Sequence, residues 1–249
     1  MTTTIKNASW DVVQGLRADM EVGLRAATSL QDGAQKFVEM FRRSFDTVAL
    51  ARMFLVLPFA ELPQVEQLAA RELVVKLGRA PAIDAATPVL TLLATSGERP
   101  AWNRREQSAG HRAIPLVDTS LVDGAPMIAA LLSALRVDLE HLRADASTHL
   151  RSLAGGLNSR FYVPDARSTV DARGRRVIAA TDFVEQYTIR TVFGMGGAYL
   201  GGGLVVAIVF TKELLPELHV DRFPSFIGTF KIATTSLVDA KKFFAATEP

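Results

Sequence analysis

The feature that most constrains this fold is a pair of apolar runs joined by a glycine-rich linker. The first run is Thr188–Phe193, the second is Leu204–Thr211, and both are rich in β-branched residues. Apolar runs of this length on either side of a glycine-rich turn predict two neighbouring antiparallel strands. We therefore expect a hairpin in a buried sheet.

The glycines of the linker raise the alternative of a phosphate-binding loop. They are Gly194, Gly196, Gly197, Gly201, Gly202 and Gly203. A dinucleotide fingerprint needs G-x-G-x-x-G at the start of a helix, whereas here Tyr199 takes the third position and a strand follows. A P-loop needs Lys and then Ser or Thr after its last glycine, and this chain has Leu204. We interpret the glycines as turn residues that tolerate positive φ.

Composition and charge indicate a folded protein without a polyanionic partner. Hydrophobic residues make up 49% and charged residues 22% of the 249 residues. Lys and Arg (28) nearly balance Asp and Glu (26), so we expect no nucleic-acid partner. The N-terminus lacks the pattern of a signal peptide, and the longest apolar run is too short to cross a bilayer. We expect a cytoplasmic, bacterial-type protein with no membrane partner.

The absence of cysteine excludes several kinds of site. Disulfides, thiolate metal sites, iron–sulfur clusters, a cysteine nucleophile and a thioether-linked bilin all need that residue. The four histidines show no metal-ligand spacing, although His141 and His149 are eight residues apart, so we expect no metal site. No nucleophile elbow is present, and we expect no catalytic residues and no enzyme activity. Any cofactor stays unknown, with haem bound through a single histidine left as an alternative.

Apolar periodicity predicts an α+β fold with a mixed, mainly antiparallel central sheet, flanking helices and long N- and C-terminal helices. The parts are an N-terminal helical region (1–45), a sensory domain (46–222) and a C-terminal helix (223–249) that packs with the N-terminal helices. The predicted strands outside the hairpin are Val48–Phe59, Val89–Ala94, Ala113–Leu116 and Phe161–Val163. The predicted helices between them are Pro63–Leu77 and about Pro126–Arg143, with residues 144–159 helical at first and Asp182 as the N-cap of a short helix.

Two groups of side chains are candidates for ligand binding. Arginine binds anions in a bidentate manner, and aromatic rings favour planar ligands. The candidates are Trp102, Arg104, Arg105, Ser108 and His111 in one segment, and Tyr187 and Arg190 just ahead of the hairpin. The alternative for the first group is that Trp102 anchors a loop and His111 forms a hydrogen bond to that loop. The alternative for the second is packing and a surface ion pair.

These residues also resemble a known family. The pattern Phe183…Tyr187-x-Ile189-Arg190-x-Val192-x-Gly194-x-Gly196-Gly197, then Gly203-Leu204 and Phe210, is similar to the closing hairpin of GAF-like sensory domains. The pattern Trp102…Ser108…His111-x-x-Ile114-Pro115-Leu116…Pro126-Met127 resembles the variety found in bacterial sensor histidine kinases. The resemblance covers about residues 87–211. It implies a GAF/PAS-like sheet with helices on one side, a small-molecule pocket on the other, and dimerisation through terminal helices.

The expected function is that of a stand-alone sensory or regulatory domain with no catalysis of its own. Its partners would be a small-molecule ligand or a signalling protein that carries the output, and we expect a homodimer. One alternative is a scaffold protein that has lost its pocket and dimerises through the terminal helices. Another is an enzyme whose dispersed site combines His111, Arg104, Arg105 and Tyr187.

Overall fold

The computed structural model describes most of the chain. It covers residues 3–76, 83–108, 111–117, 122, 124–144, 159–200 and 202–245. The predicted helical start of 144–159 falls almost wholly outside these residues, as do His149 and Gly201.

A single sheet of six strands forms the centre of the molecule. The strands are β1 Val48–Pro58, β2 Pro88–Gly97, β3 Ala113–Pro115, β4 Ser159–Val163, β5 Thr191–Ala198 and β6 Leu204–Thr211. Their order is β3-β2-β1-β6-β5-β4, and every neighbouring pair is antiparallel. The predicted α+β fold with an antiparallel sheet is therefore confirmed. The two middle strands, β1 and β6, are nearly continuous apolar runs because helices or loops cover both faces of the sheet.

Helices cover the sheet on both sides. They are α1 Trp10–Leu24, α2 Leu30–Ser44, α3 Gln64–Lys76, α4 Pro126–Ala134, α5 Leu139–Ala144, α6 Thr181–Gln186, α7 Glu217–Val220 and α8 Pro224–Asp239. The single helix predicted over 126–143 is interrupted between α4 and α5, where Arg136 has a left-handed φ of 57°. At α6 the N-cap residue is Ala180 and not Asp182, which lies inside the helix.

A cluster of phenylalanines holds α2 and α8 against one face of the sheet, and α1 packs on these two helices. The members of the cluster are Phe37, Phe41, Phe45, Phe193, Phe223, Phe226 and Phe230. Phe41 of α2 is central, since its ring centroid lies 5.1 Å from that of Phe223 and 6.3 Å from that of Phe193 on β5. Edge-to-face pairs of this kind add to the free energy of apolar burial. The N- and C-terminal helices thus share one core with the sheet.

The hairpin forms between β5 and β6 as predicted, but its first strand lies further along the chain. It starts at Thr191, so Gly194 and Gly196 belong to the strand and not to the turn. A Cβ at Gly194 would lie 2.9 Å from the Ala207 carbonyl oxygen, and one at Gly196 would lie 2.7 Å from Leu135 Cδ2. These glycines therefore allow close packing in the sheet. Only the turn itself uses positive φ, at Gly202 (93°) and Gly203 (88°).

The two faces of β1 differ in one residue. On the helix-covered face, every side chain of the strand is apolar. On the other face, Leu50 and Phe54 flank Arg52, the one charged residue of the strand. Because side chains alternate across a strand, Arg52 points away from the terminal helices and toward α4. This face carries the candidate site.

Candidate functional site

An apolar cavity of about 270 Å³ lies between the sheet and the α4 side of the molecule. The floor is made by β1 and β6, the roof by the start of α4 and by the segment that leads into α6. The lining residues are Leu50, Arg52, Phe54, Trp102, His111, Ala125, Pro126, Met127, Ile128, Val177, Ile178, Ala179, Ala180, Phe183, Ile208 and Phe210. The volume is at the small end for ligand pockets, which span about 300–1,000 Å³.

The strand register fixes the floor of the cavity. Arg52 on β1 pairs with Ile208 on β6, so their side chains lie next to each other on one face. On its other side Arg52 pairs with Thr95 of β2, which is fully buried. The guanidinium group thus extends from β1, one of the two middle strands of the sheet. The neighbouring strands β2 and β6 cannot shift without breaking their hydrogen bonds to β1.

Aromatic rings form one wall. The Trp102 ring centroid lies 5.6 Å from that of Phe183, and Phe183 lies 5.5 Å from Phe210 in an edge-on arrangement. Gly97 makes room for this wall, because a Cβ there would lie 2.8 Å from Trp102 Cε3. The wall joins the loop after β2 to α6 and β6, three segments that are distant in sequence.

Arg52 has no charge partner among the residues that the structure describes. Its side chain is partly buried, and its Nε is buried with no hydrogen-bond partner in that part of the chain. Removal from water lowers the pKa of Arg52 to about 10. The group is still a cation at neutral pH, so the cavity holds one positive charge in a mainly apolar wall.

His111 is the second titratable residue of the lining. The residue is exposed to solvent and also lines the cavity. Desolvation, together with the nearby Arg52 charge, lowers the pKa of His111 below its ordinary value of 6.5. The imidazole is therefore neutral at pH 7 and adds no second positive charge.

Two of the seven candidate residues predicted from the sequence, Trp102 and His111, line the cavity. Tyr187 lies behind the wall, with its ring centroid 4.5 Å from that of Trp102. Its hydroxyl accepts a hydrogen bond of 2.9 Å from Arg99 Nε. Tyr187 is therefore placed to support Trp102 and is not itself in the lining.

Arg105 is held in a different cluster. Its Nη1 lies 3.0 Å from Glu66 Oε1, and Nη2 of Arg112 lies 2.9 Å from the same oxygen. The Glu66 side chain is 1% exposed, so this is a buried ion cluster that ties α3 to the segments around β3. The Arg105 guanidinium also lies 5.2 Å from the ring centroid of Phe244. Arg104, next in the chain, is exposed and outside the lining.

The last two candidates also lie outside the lining. Arg190 Nη2 is 3.4 Å from Asp165 Oδ2, a partly exposed ion pair at the start of β5. Ser108 has a buried hydroxyl that forms no hydrogen bond with the described residues. The structure therefore does not bring the seven candidates together in one cavity.

Sequence reasoning missed Arg52 and most of the apolar lining. The signal for Arg52 was present, because it is the one charge in the eleven-residue run VALARMFLVLP. A charged residue is rarely placed in a central strand without a partner or a ligand. The lining of 177–180 carries no such signal, since this segment meets the cavity only through the tertiary fold.

Within the described ranges, no three His, Asp or Glu side chains are grouped so that they could hold a metal ion. None of the helices that the structure describes is long and apolar enough to cross a membrane.

Similarity to known proteins is found among solved structures and not among sequences. No family model and no curated protein matches the sequence. The free methionine-R-sulfoxide reductase from Neisseria meningitidis, solved with its substrate, is similar at a TM-score of 0.51 and 10% identity. That match covers 96% of this chain and 99% of the other.

Two further similar structures are GAF domains. The GAF domain of an Acinetobacter phosphoenolpyruvate-protein phosphotransferase has a TM-score of 0.46 and 11% identity, with 91% of this chain and 94% of the other covered. The phycoerythrobilin-bound GAF domain of a cyanobacterial phytochrome has a TM-score of 0.48 and 8% identity, with 92% and 97% covered. The chain shares the fold of the reductase, which is the GAF-like α+β fold expected from the sequence.

Proposed function

We propose that this chain is a sensory or regulatory domain that binds a small molecule in the cavity between β1, β6 and α4. The observation that carries this proposal is the cavity itself, about 270 Å³ of mainly apolar space with one convergent cationic group. Apolar pockets with a few placed polar groups are the usual form of small-molecule sites. Trp102 and His111 are the ligand-contacting candidates that the sequence analysis and the cavity share.

The composition of the lining supports binding over catalysis. Among the described lining residues there is no carboxylate and no hydroxyl group, so His111 lacks an acid or nucleophile as a partner there. Of the four residues of the dispersed-site alternative, only His111 is in that lining, while Arg105 is engaged by Glu66. We therefore propose a domain without catalysis of its own.

A ligand screen with a matched pair of variants tests the proposal. Ala125 lines the cavity, so Ala125→Phe places a ring in the space that a ligand would occupy. Ala26 is exposed and outside the lining, and Ala26→Phe serves as the control. Thermal unfolding is measured against metabolites, cyclic nucleotides and haem.

We expect at least one compound to raise the melting temperature of the wild type and of Ala26→Phe but not of Ala125→Phe. Stabilisation by a bound ligand follows from mass action, since the ligand binds only the folded state. A screen in which no compound stabilises the wild type, or in which Ala125→Phe responds as strongly as the wild type, would contradict the proposal.

A further inference from the structure

We infer that the cavity takes a small monocarboxylic acid with an apolar body, whose carboxylate is bound by Arg52. The inference rests on the proposed function and names the chemical class of the ligand. It depends on three features: an unpartnered cation in the lining, an unpartnered hydroxyl beside that cation on the same face of the sheet, and the apolar character of the other lining residues.

The first feature is the guanidinium group. Arg52 is fixed by the central strand, its Nε is buried, and no described carboxylate forms an ion pair with it. A buried cation without a partner is unfavourable, and folded proteins keep such groups where a ligand or a substrate completes them. A carboxylate is the planar anion whose two oxygens match the guanidinium fork.

The second feature is Thr95, directly across from Arg52 in the β1–β2 ladder. Residues paired in this way have side chains on the same face of the sheet. The Thr95 hydroxyl is buried and has no hydrogen-bond partner among the described residues. Two neighbouring positions on this face of the sheet therefore each carry an unsatisfied polar group, Arg52 in the cavity lining and Thr95 beside it, and an anion at Arg52 would supply the acceptor that the guanidinium lacks.

The charge of the lining limits the ligand to one negative charge. Arg52 is the one cation among the described lining residues at neutral pH, because the neighbouring His111 has a lowered pKa and is uncharged. A phosphate monoester carries nearly two charges at this pH and would leave one of them unpaired in an apolar space. A carboxylate carries one negative charge, which Arg52 pairs, so no charge is left unpaired.

The remaining surface calls for an apolar body of limited size. Phe54, Ile208 and Phe210 on the floor face Pro126, Met127 and Ile128 on the roof. The volume of about 270 Å³ is at the small end for ligand pockets, so the body is a single ring or a short alkyl chain.

The experiment compares acids with their uncharged amides. Phenylacetate and hexanoate are titrated beside phenylacetamide and hexanamide into the full chain, and dissociation constants are read from NMR chemical shifts. Phenyl phosphate is titrated in the same way, to compare a ligand of nearly two negative charges with the singly charged acids. The variants are Arg52→Met, Arg52→Lys, Ala125→Phe and, as a control, Arg43→Met on the exposed face of α2, where the Arg43 side chain is 73% exposed.

We expect each acid to bind the wild type about 10- to 100-fold more tightly than its amide, as for hydrogen bonds to a charged group. Phenyl phosphate should bind more weakly than phenylacetate. Arg52→Met should remove the preference for acids, Arg52→Lys should keep part of it, and Arg43→Met should leave it unchanged. If a variant fails to fold, the comparison of acids with amides on the wild type still tests the inference.

Two results would overturn the inference, and they bear differently on the proposed function. If amides bind as tightly as acids, or Arg52→Met keeps the acid preference, the carboxylate assignment is wrong. Should Ala125→Phe abolish that binding, the cavity still binds ligands and the proposed function stands. Failure of all probes overturns the inference, and the proposed function falls with it only if the wider ligand screen is also negative.

Discussion

The Arg52 guanidinium lowers the stability of the unliganded protein, because folding moves its charge from water into an apolar wall. The pKa of Arg52 is lowered to about 10 by the same cost of desolvation, and this cost reduces the stability of the folded protein at any pH below that value. We expect Arg52→Met to raise the free energy of unfolding by about 1–3 kcal/mol, a smaller figure than full burial would imply, since the side chain is partly solvated.

Urea denaturation at pH 7 measures this change. Arg43→Met, the same substitution at an exposed position, should alter stability by no more than about 0.5 kcal/mol. A destabilised Arg52→Met would mean that the charge is compensated in the folded protein. Residues that reduce stability but favour binding are common in functional sites.

His111 gives the protein a pH dependence of known sign. Its folded-state pKa lies below the unfolded value of 6.5, so the unfolded chain binds the proton more readily. The stabilising contribution is fully present above pH 6.5 and is lost as the pH falls from 6.5 through the folded-state pKa. We expect His111→Gln to flatten the fall in melting temperature below pH 6.5. Equal slopes for wild type and His111→Gln would contradict this.

At this scale the sequence was partly informative. Trp102 and His111 were chosen because an aromatic ring and an imidazole stood close together in a polar segment, and both line the cavity. Arg105 was chosen on the same ground, but a partner 39 positions earlier in the chain, Glu66, engages it. No local pattern reveals such a partner. Whether the chosen residues bind a ligand stays a prediction.

Among the elements, β5 depends on glycine for its contact with β6. At Gly194 the atom in the way of a Cβ is a backbone oxygen, at 2.9 Å, which cannot move without disturbing the ladder. We expect Gly194→Ala to lower the free energy of unfolding by about 1–3 kcal/mol. Gly15→Ala, in the exposed middle of α1 with nothing within 4 Å, should instead raise it by about 0.5–1 kcal/mol. Chemical denaturation of both variants checks this, and a neutral Gly194→Ala would refute the close-packing role.

The cluster around Glu66 ties α3 to the β3 edge of the sheet. The guanidinium groups of Arg105 and Arg112 share this carboxylate, whose side chain is 1% exposed, and Arg105 Nε also lies 3.4 Å from the exposed carboxylate of Glu106. We expect Glu66→Gln to lower the free energy of unfolding by about 3–5 kcal/mol, since both cations lose a charged partner. Glu72→Gln, at an exposed position of the same helix, is the control. A loss below about 1 kcal/mol in urea denaturation would show that the cluster contributes little.

The elements were predicted more completely than the site. Strands β1, β2 and β6 are predictable from their mainly apolar runs, because strands buried on both faces are apolar at most positions. The start of β5 was placed too early, since glycine is as typical of a turn as of a tightly packed strand. A strand glycine differs from a turn glycine here because Ala207 and Leu135 lie too close for a Cβ, and their positions depend on tertiary packing.

For the molecule as a whole, the expected homodimer stays a prediction. Trp10 and Val22 on α1 are 61% and 70% exposed, and Ile232 on α8 is 81% exposed. We expect light scattering to give about twice the chain mass of 27.0 kDa, and Ile232→Arg to shift the mass toward that of a monomer because a charge is unfavourable in an apolar interface. Leu214→Arg, at a 51% exposed loop position, is the control. A wild-type monomer would exclude this dimer.

The contrast between one fixed charge and an otherwise apolar lining has a consequence for discrimination among related compounds. An apolar wall distinguishes neighbouring members of a homologous series poorly, by about 1–3 kcal/mol for each methylene group. A buried polar group that loses its partner discriminates far more strongly. A cavity built as this one is around Arg52 would therefore accept several carbon skeletons and reject their esters and alcohols. It would report the presence of a class of metabolites and not the concentration of one.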